Sequence, residues 1–133
     1  MAARKKLTEA DHVWNRACGL EGNVWNRASG RESNELREGD VMLGALLLVH
    51  GYIMNGGVCH AFDLSQDELA EGLKAYAYFG LHDLAAIIEP HGGRKEADYN
   101  KRYYGFFRNR NDPILDRFHQ MFLDHPERFA SLK

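Results

Sequence analysis

The residues best equipped for chemistry lie in one short stretch of the chain, between positions 50 and 60. They are His50, Asn55, Cys59 and His60, a thiol close to two imidazoles and a carboxamide. A cysteine activated by a neighbouring histidine is the nucleophile of one large class of enzymes. All four residues nevertheless come from one segment, and the adjacent side chains of Cys59 and His60 need not point together. We therefore favour the alternative, a buried thiol with structural histidines, and expect no catalytic residue.

Motifs that bind phosphate, metal or a cofactor are missing from the sequence. It contains no glycine-rich phosphate loop and no H-E-x-x-H, C-x-x-C or G-x-S-x-G pattern. None of the seven histidines is followed by another four residues later, the spacing that places two zinc ligands on one helix face. Cys18 and Cys59 also lack metal-ligand spacing. We expect reduced thiols in a cytoplasmic protein, without metal or cofactor.

The apolar run from Val41 to Met54 predicts the element that must position these residues. A membrane span needs roughly 20 apolar residues, so this run is too short. It is long enough for a helix that is apolar nearly all round, and such a helix must be buried. Asp40 is the predicted N-cap, and the glycines at 56 and 57 end the helix because glycine adopts the left-handed conformation that helix ends require. The sequence thus predicts a buried central helix over about residues 40–55.

Helices are predicted for the rest of the chain as well. Capping pairs mark three helix starts, at Thr8 with Asp11, at Ser65 with Glu68, and at Asp112 with Pro113. No segment shows the alternation of β-branched and polar residues that indicates a strand. We predict one all-α domain over residues 1–133, with about six helices around the central one and residues 1–7 as a flexible basic arm.

Two aromatic patterns each allow two interpretations. The sequence VWNRA at residues 13–17 returns at residues 24–28, so Trp14 and Trp25 are either stacking platforms for a base or peptide, or packed residues of a core or lid. Residues 99–110 interleave aromatic and basic side chains, which suits either single-stranded nucleic acid or a half-buried helix with solvated arginines. The net charge of −2 favours the second interpretation, and no direct nucleic-acid binding is expected.

Charge is distributed unevenly along the chain. Residues 41–92 hold six acidic side chains against the single base Lys74, whereas residues 93–133 are basic overall. The acidic block consists of Asp63, Asp67, Glu68 and Glu71. It either stabilises a solvated helix N-terminus or offers a negative surface to a basic partner. The sequence alone leaves both interpretations open.

The segment MNGGVCHAF at residues 54–62 resembles the core signature of the DNA-mimic protein family. Residues 69–89 are similar to the paired helices that follow this signature, and residues 118–129 are similar to the family's C-terminal ending. The resemblance covers roughly residues 36–130. It implies a small, all-helical bacterial domain without catalysis, in which the signature residues Asn55, Gly56 and Gly57 are structural.

In function, the resemblance implies an acidic surface that imitates DNA phosphates and occupies the DNA-binding face of a helix-turn-helix regulator. Duplex DNA carries one charge per roughly 1.7 Å of axis, whereas this chain is nearly neutral. Mimicry would therefore be confined to the acidic block, Asp63, Asp67, Glu68 and Glu71. We expect a non-enzymatic, cytoplasmic protein that binds a DNA-binding regulator and no membrane. The alternatives are an immunity-type protein that neutralises a toxin and an enzyme that uses Cys59 and His60; homodimer formation is left open.

Overall fold

The computed structural model describes residues 8–18, 36–88 and 94–130, which are mostly helical. The α-helices of these residues are α1 Glu9–Ala17, α2 Glu38–Gly56, α3 Val58–Ala61, α4 Gln66–Tyr78, α5 His82–Ile87, α6 Glu96–Gly105 and α7 Pro113–Asp124, with 3₁₀ turns at Arg108–Arg110 and Pro126–Arg128. The described residues contain no strand, so the predicted all-α class is confirmed. The basic arm and the second tryptophan, Trp25, lie outside the described residues.

Helix α2 contacts α1, α3 and α4 and presents one face to the core. The fully buried side chains of this face are Leu43, Leu46, Val49 and Ile53. Each buried aliphatic side chain contributes about 1.5–3 kcal/mol of hydrophobic stabilisation. Outside this face, α2 also carries the apolar side chains Val41, Leu48 and Met54, which are 48%, 38% and 55% exposed. The prediction of a helix buried on all sides is therefore wrong for these residues.

The three predicted capping residues Thr8, Ser65 and Asp112 begin their helices, whereas the predicted cap of α2 does not. The capping bonds pair Thr8 with Asp11 (2.9 and 3.1 Å), Ser65 with Glu68 (3.2 and 3.1 Å), and the Asp112 carboxylate with the backbone N–H of Leu115 (3.0 Å). At α2 the N-cap is Arg37, and Asp40 is the third helical residue. The prediction of Asp40 as N-cap is wrong because its carboxylate accepts hydrogen bonds from both Arg37 N (3.1 Å) and Ala130 N (2.7 Å). A partner 90 residues away leaves no trace in the local sequence.

The end of α2 follows the predicted glycine signal. The helix stops at Gly56, and Gly57 has a φ of +89°, a conformation that side-chain-bearing residues rarely adopt. The N–H of Gly57 donates to the carbonyl of Ile53 (2.7 Å), and the next N–H, that of Val58, donates to the Asn100 side chain (2.8 Å). This turn redirects the chain into α3 and fixes it against α6.

Candidate binding groove

A groove of about 1040 Å³ lies on the exposed face of α2, between α1 and α4. The residues of α2 that line it include Val41, Gly44, Ala45, Leu48, Gly51 and Met54. Trp14 and Cys18 line it from the α1 side, and three side chains of α4 line it from the other. The volume matches the upper end of the range for ligand clefts, about 300–1,000 Å³.

The α4 side of the groove is acidic. Asp67, Glu68 and Glu71 all line the groove, and these three carboxylates are called the acidic rim below. Asp63, the fourth predicted partner-binding residue, is exposed but does not line the groove. The structure thus brings three of the four predicted residues together beside an apolar surface.

Within the acidic rim, nearby groups compensate the charge only weakly. Lys74 Nζ lies 3.8 Å from Glu71 Oε1, and both side chains are more than half exposed, so the pair contributes little. Glu68 accepts the backbone N–H of Ser65 in the capping box. No partner is found for the Asp67 carboxylate among the described residues. The rim is therefore a solvent-facing negative edge.

The α2 residues at the floor of the groove are spaced like those of a helix-packing seam. Val41, Gly44, Leu48 and Gly51 follow one another at i, i+3, i+7 and i+10, the a and d positions of a heptad. A Cβ added at Gly51 would meet no atom within 4 Å, so this position is an open hole in the seam. The sequence carries this pattern as two pairs of residues seven apart, Val41 with Leu48 and Gly44 with Gly51.

Trp14 forms a fixed wall of the groove. Its ring lies 5.4 Å from that of Phe118, one of the fully buried side chains of α7, and it is itself half-buried. This contact supports the interpretation of Trp14 as a packed residue. Trp14 nevertheless contributes to the groove lining.

A buried chain of hydrogen bonds begins at the groove and runs into the core. Tyr76 Oη lies 2.5 Å from Tyr103 Oη, which lies 2.8 Å from Nδ1 of His50. With His50 neutral and its proton on Nε2, Tyr76 can donate to Tyr103 and Tyr103 can donate to Nδ1 of His50, so every hydroxyl proton of the chain has an acceptor. Burial lowers the pKa of His50, an effect that the negative charge of Asp112 partly offsets. The arrangement favours a neutral imidazole with a structural role.

The candidate catalytic residues are held by other contacts. Nδ1 of His60 donates to the carbonyl oxygen of Tyr52 (2.9 Å), and the two rings stack with centroids 4.9 Å apart. Burial raises the pKa of the Cys59 thiol, and nearby Glu96 raises it further. A raised pKa lowers the thiolate fraction that a nucleophile needs. These contacts favour the structural interpretation of Cys59 and His60.

The aromatic side chains of residues 99–110 are directed mainly into the protein. Tyr99 and Tyr103 are buried, and the hydroxyl of Tyr104 donates to the carbonyl of Ile53 (2.8 Å). Arg102 and Arg108 are exposed. This division supports the half-buried helix rather than a series of stacking platforms.

Comparisons with known proteins give no match: no protein-family model, curated protein or solved structure matches the chain. The resemblance to the DNA-mimic family stays a prediction. Of the helices described, none has the length and apolar character that crossing a membrane requires. In the same residues, no three His, Cys, Asp or Glu side chains are grouped so that they could hold a metal ion.

Proposed function

We propose that this chain is a non-enzymatic, cytoplasmic protein-binding domain that receives a basic surface of another protein, such as a DNA-binding regulator. One observation carries the proposal: the acidic rim lines the same groove as the exposed aliphatic side chains Val41, Leu48 and Met54. Negative charge and accessible apolar surface are thus adjacent on one face of the α2–α4 pair.

This combination favours a binding surface over a merely solvated helix start. Acids in the first turn of a helix are explained by the helix dipole, but the dipole does not account for an exposed apolar groove beside them. Exposed apolar surface rimmed by polar residues is typical of interaction sites. In protein interfaces, an apolar centre supplies most of the affinity and a charged rim supplies orientation and association rate.

Recognition of a DNA-binding regulator would use the groove as well as the charge. Three carboxylates are few beside duplex DNA, which carries one charge per roughly 1.7 Å. The apolar groove compensates for the small number of charges, because it adds hydrophobic contacts that DNA phosphates cannot make. The proposal therefore predicts binding that is weakened by salt but not governed by charge alone.

The test is capture of partners from the native host's lysate on the tagged protein, at low and at high salt. The test variant is Asp67→Lys/Glu71→Lys, which spares Glu68 because that residue caps α4. The control variant is Asp98→Lys/Asp116→Lys, which makes the same change of charge at two exposed acids in the first turns of α6 and α7. Circular dichroism verifies that both variants keep their helices.

We expect the wild type and the control to capture a protein with a basic surface, and the test variant to lose it. High salt should weaken the capture by the wild type, because screening acts on exposed charges. Equal capture by the test variant would contradict the assignment to the acidic rim, and a partner without a basic surface would contradict the proposed chemistry.

A further inference from the structure

We propose that the groove binds one amphipathic α-helix of the partner, with its apolar stripe against α2 and its basic flank against the acidic rim. This inference rests on the function proposed above and specifies the secondary structure, length and side-chain pattern of the bound segment.

The seam on α2 points to a helical occupant. Val41 and Leu48 are seven residues apart, as are Gly44 and Gly51, which is the spacing of a helix-packing face. Of the two glycines, Gly44 is buried and Gly51 is exposed. A second helix packs on such a face by placing its own side chains into the holes. Gly51 supplies a hole that no described atom fills.

The length of the groove sets the length of the helix. From Val41 to Met54, α2 rises about 20 Å at 1.5 Å per residue. A partner helix of about 14 residues covers this distance, which is three to four turns. Such a segment is typical of peptides that bind in grooves through anchors at i, i+3, i+4 and i+7.

Charge decides which helix fits. The acidic rim lies along one side of the seam, so a helix with Lys or Arg on that flank gains opposite-charge contacts. A symmetric pairing of two copies through their grooves would bring two acidic rims together, and like charges would oppose that pairing. The occupant is therefore a basic segment of a different protein.

Synthetic peptides test the pattern directly. The probe is a 14-residue peptide with leucines at i, i+3, i+7 and i+10 and lysines on one flank. A scrambled peptide has the same composition without the periodicity, and a third peptide has glutamate in place of lysine. Binding is measured by fluorescence anisotropy, and circular dichroism reports whether the peptide becomes helical.

A pair of variants separates the contribution of packing in the groove from the contribution of charge. Gly51→Leu fills the hole in the seam, and it does not threaten folding because the site is open and leucine favours a helix. Gly105→Leu is the control, since a Cβ there also meets nothing within 4 Å and the residue does not line the groove. We expect about tenfold weaker binding for Gly51→Leu, for the scrambled peptide and for Asp67→Lys/Glu71→Lys, and no change for Gly105→Leu.

The outcomes distinguish this inference from the proposed function. If the ordered and scrambled basic peptides bind equally and Gly51→Leu has no effect, the helical inference is overturned while the acidic rim remains a binding surface. If the glutamate peptide binds as well as the lysine peptide, the charge argument of the proposed function fails. Absence of binding by all three peptides would overturn the inference. The proposed function would then be tested separately, by the capture of partners from the lysate.

A photo-crosslinker identifies the occupant without assuming the peptide. In Met54→p-benzoylphenylalanine, the reactive group replaces a side chain that is 55% exposed and lines the groove. Crosslinking in the lysate should join it to a basic helical segment of another protein. A crosslink within the same chain, or to a second copy of it, would show that the groove has a different occupant and would overturn the inference.

Discussion

Replacing Gly72 by alanine tests the packing of α4 against α2, which positions the acidic rim beside the groove. A Cβ at residue 72 would overlap Cγ2 of Val49 and stand 3.3 Å from the carbonyl oxygen of Ala45. Val49 is fully buried, so its side chain cannot move out into solvent. The substitution should therefore force the two helices apart or strain Val49.

The expected effect follows from two opposing contributions. Overpacking of a core typically lowers stability by about 1–3 kcal/mol, while replacement of glycine by alanine within a helix raises it by about 1 kcal/mol. Because the overlap with Val49 Cγ2 is severe, the overpacking should fall near the top of its range. We therefore expect Gly72→Ala to lower the free energy of unfolding by about 1–2 kcal/mol. For a chain of this size, that corresponds to a fall in Tm of roughly 3–8 °C.

Gly51→Ala provides the matched control, because the same chemical change is made in a helix interior where a Cβ meets nothing within 4 Å. It should raise the free energy of unfolding by about 0.5–1 kcal/mol. Val49→Ala removes the obstructing methyl, so Gly72→Ala should cause no further loss in that background. The double-mutant cycle should then show a coupling of about 1–2 kcal/mol.

Urea unfolding followed by circular dichroism measures the wild type and all four variants, provided that they share one m-value. The reasoning would be refuted if Gly72→Ala stabilised the protein as Gly51→Ala does, or if the effects of Gly72→Ala and Val49→Ala were additive. Either result would mean that α4 does not lie against α2 at Val49.

Three further predictions can be read from the same unfolding curves. Asp40→Ala removes the acceptor of two backbone N–H groups, one of them the buried N–H of Ala130, and should lower the free energy of unfolding by about 2–4 kcal/mol; a loss below about 1 kcal/mol would contradict this role. Burial lowers the pKa of His50 from 6.5, so the unfolded state binds the proton at a higher pH than the folded state does. The free energy of unfolding should therefore fall as the pH drops below 6.5 and become constant below the folded-state pKa. His50→Gln should remove this pH dependence of the free energy of unfolding. An unchanged slope would mean that groups other than His50 cause it. Arg110 has a φ of +64°, so Arg110→Gly should raise the free energy of unfolding by about 0.5–1 kcal/mol, and a loss would count against this backbone conformation.

The sequence predicts the helix ends well where both partners of a capping contact lie within one turn. Ser65 and Glu68 are three residues apart, and their reciprocal bonds form as the pattern predicts. Asp40 shows the limit of this reasoning, because its second donor is Ala130. The Tyr103 hydroxyl similarly meets Tyr76 and His50 across 27 and 53 residues, distances at which local patterns carry no information.

The groove could be predicted only in part. The acids of α4 were identified from the sequence, but their position beside α2 depends on the packing of Gly72 against Val49. The apolar character of α2 predicts burial, yet it does not indicate which face other helices will cover. Leu43 and Leu48 are both leucines of one apolar run, and only the first is buried. Tertiary packing makes this distinction.

Methyl NMR of the methionines tests the groove as a binding face without any mutation. Met54 lines the groove, whereas the sulfur of Met121 lies 3.0 Å from Nη1 of Arg128, near the C-terminal turn. During titration with the 14-residue basic amphipathic peptide, the Met54 methyl resonance should shift and saturate while that of Met121 stays in place. Binding that shifts Met121 and leaves Met54 unchanged would contradict the assignment of the groove.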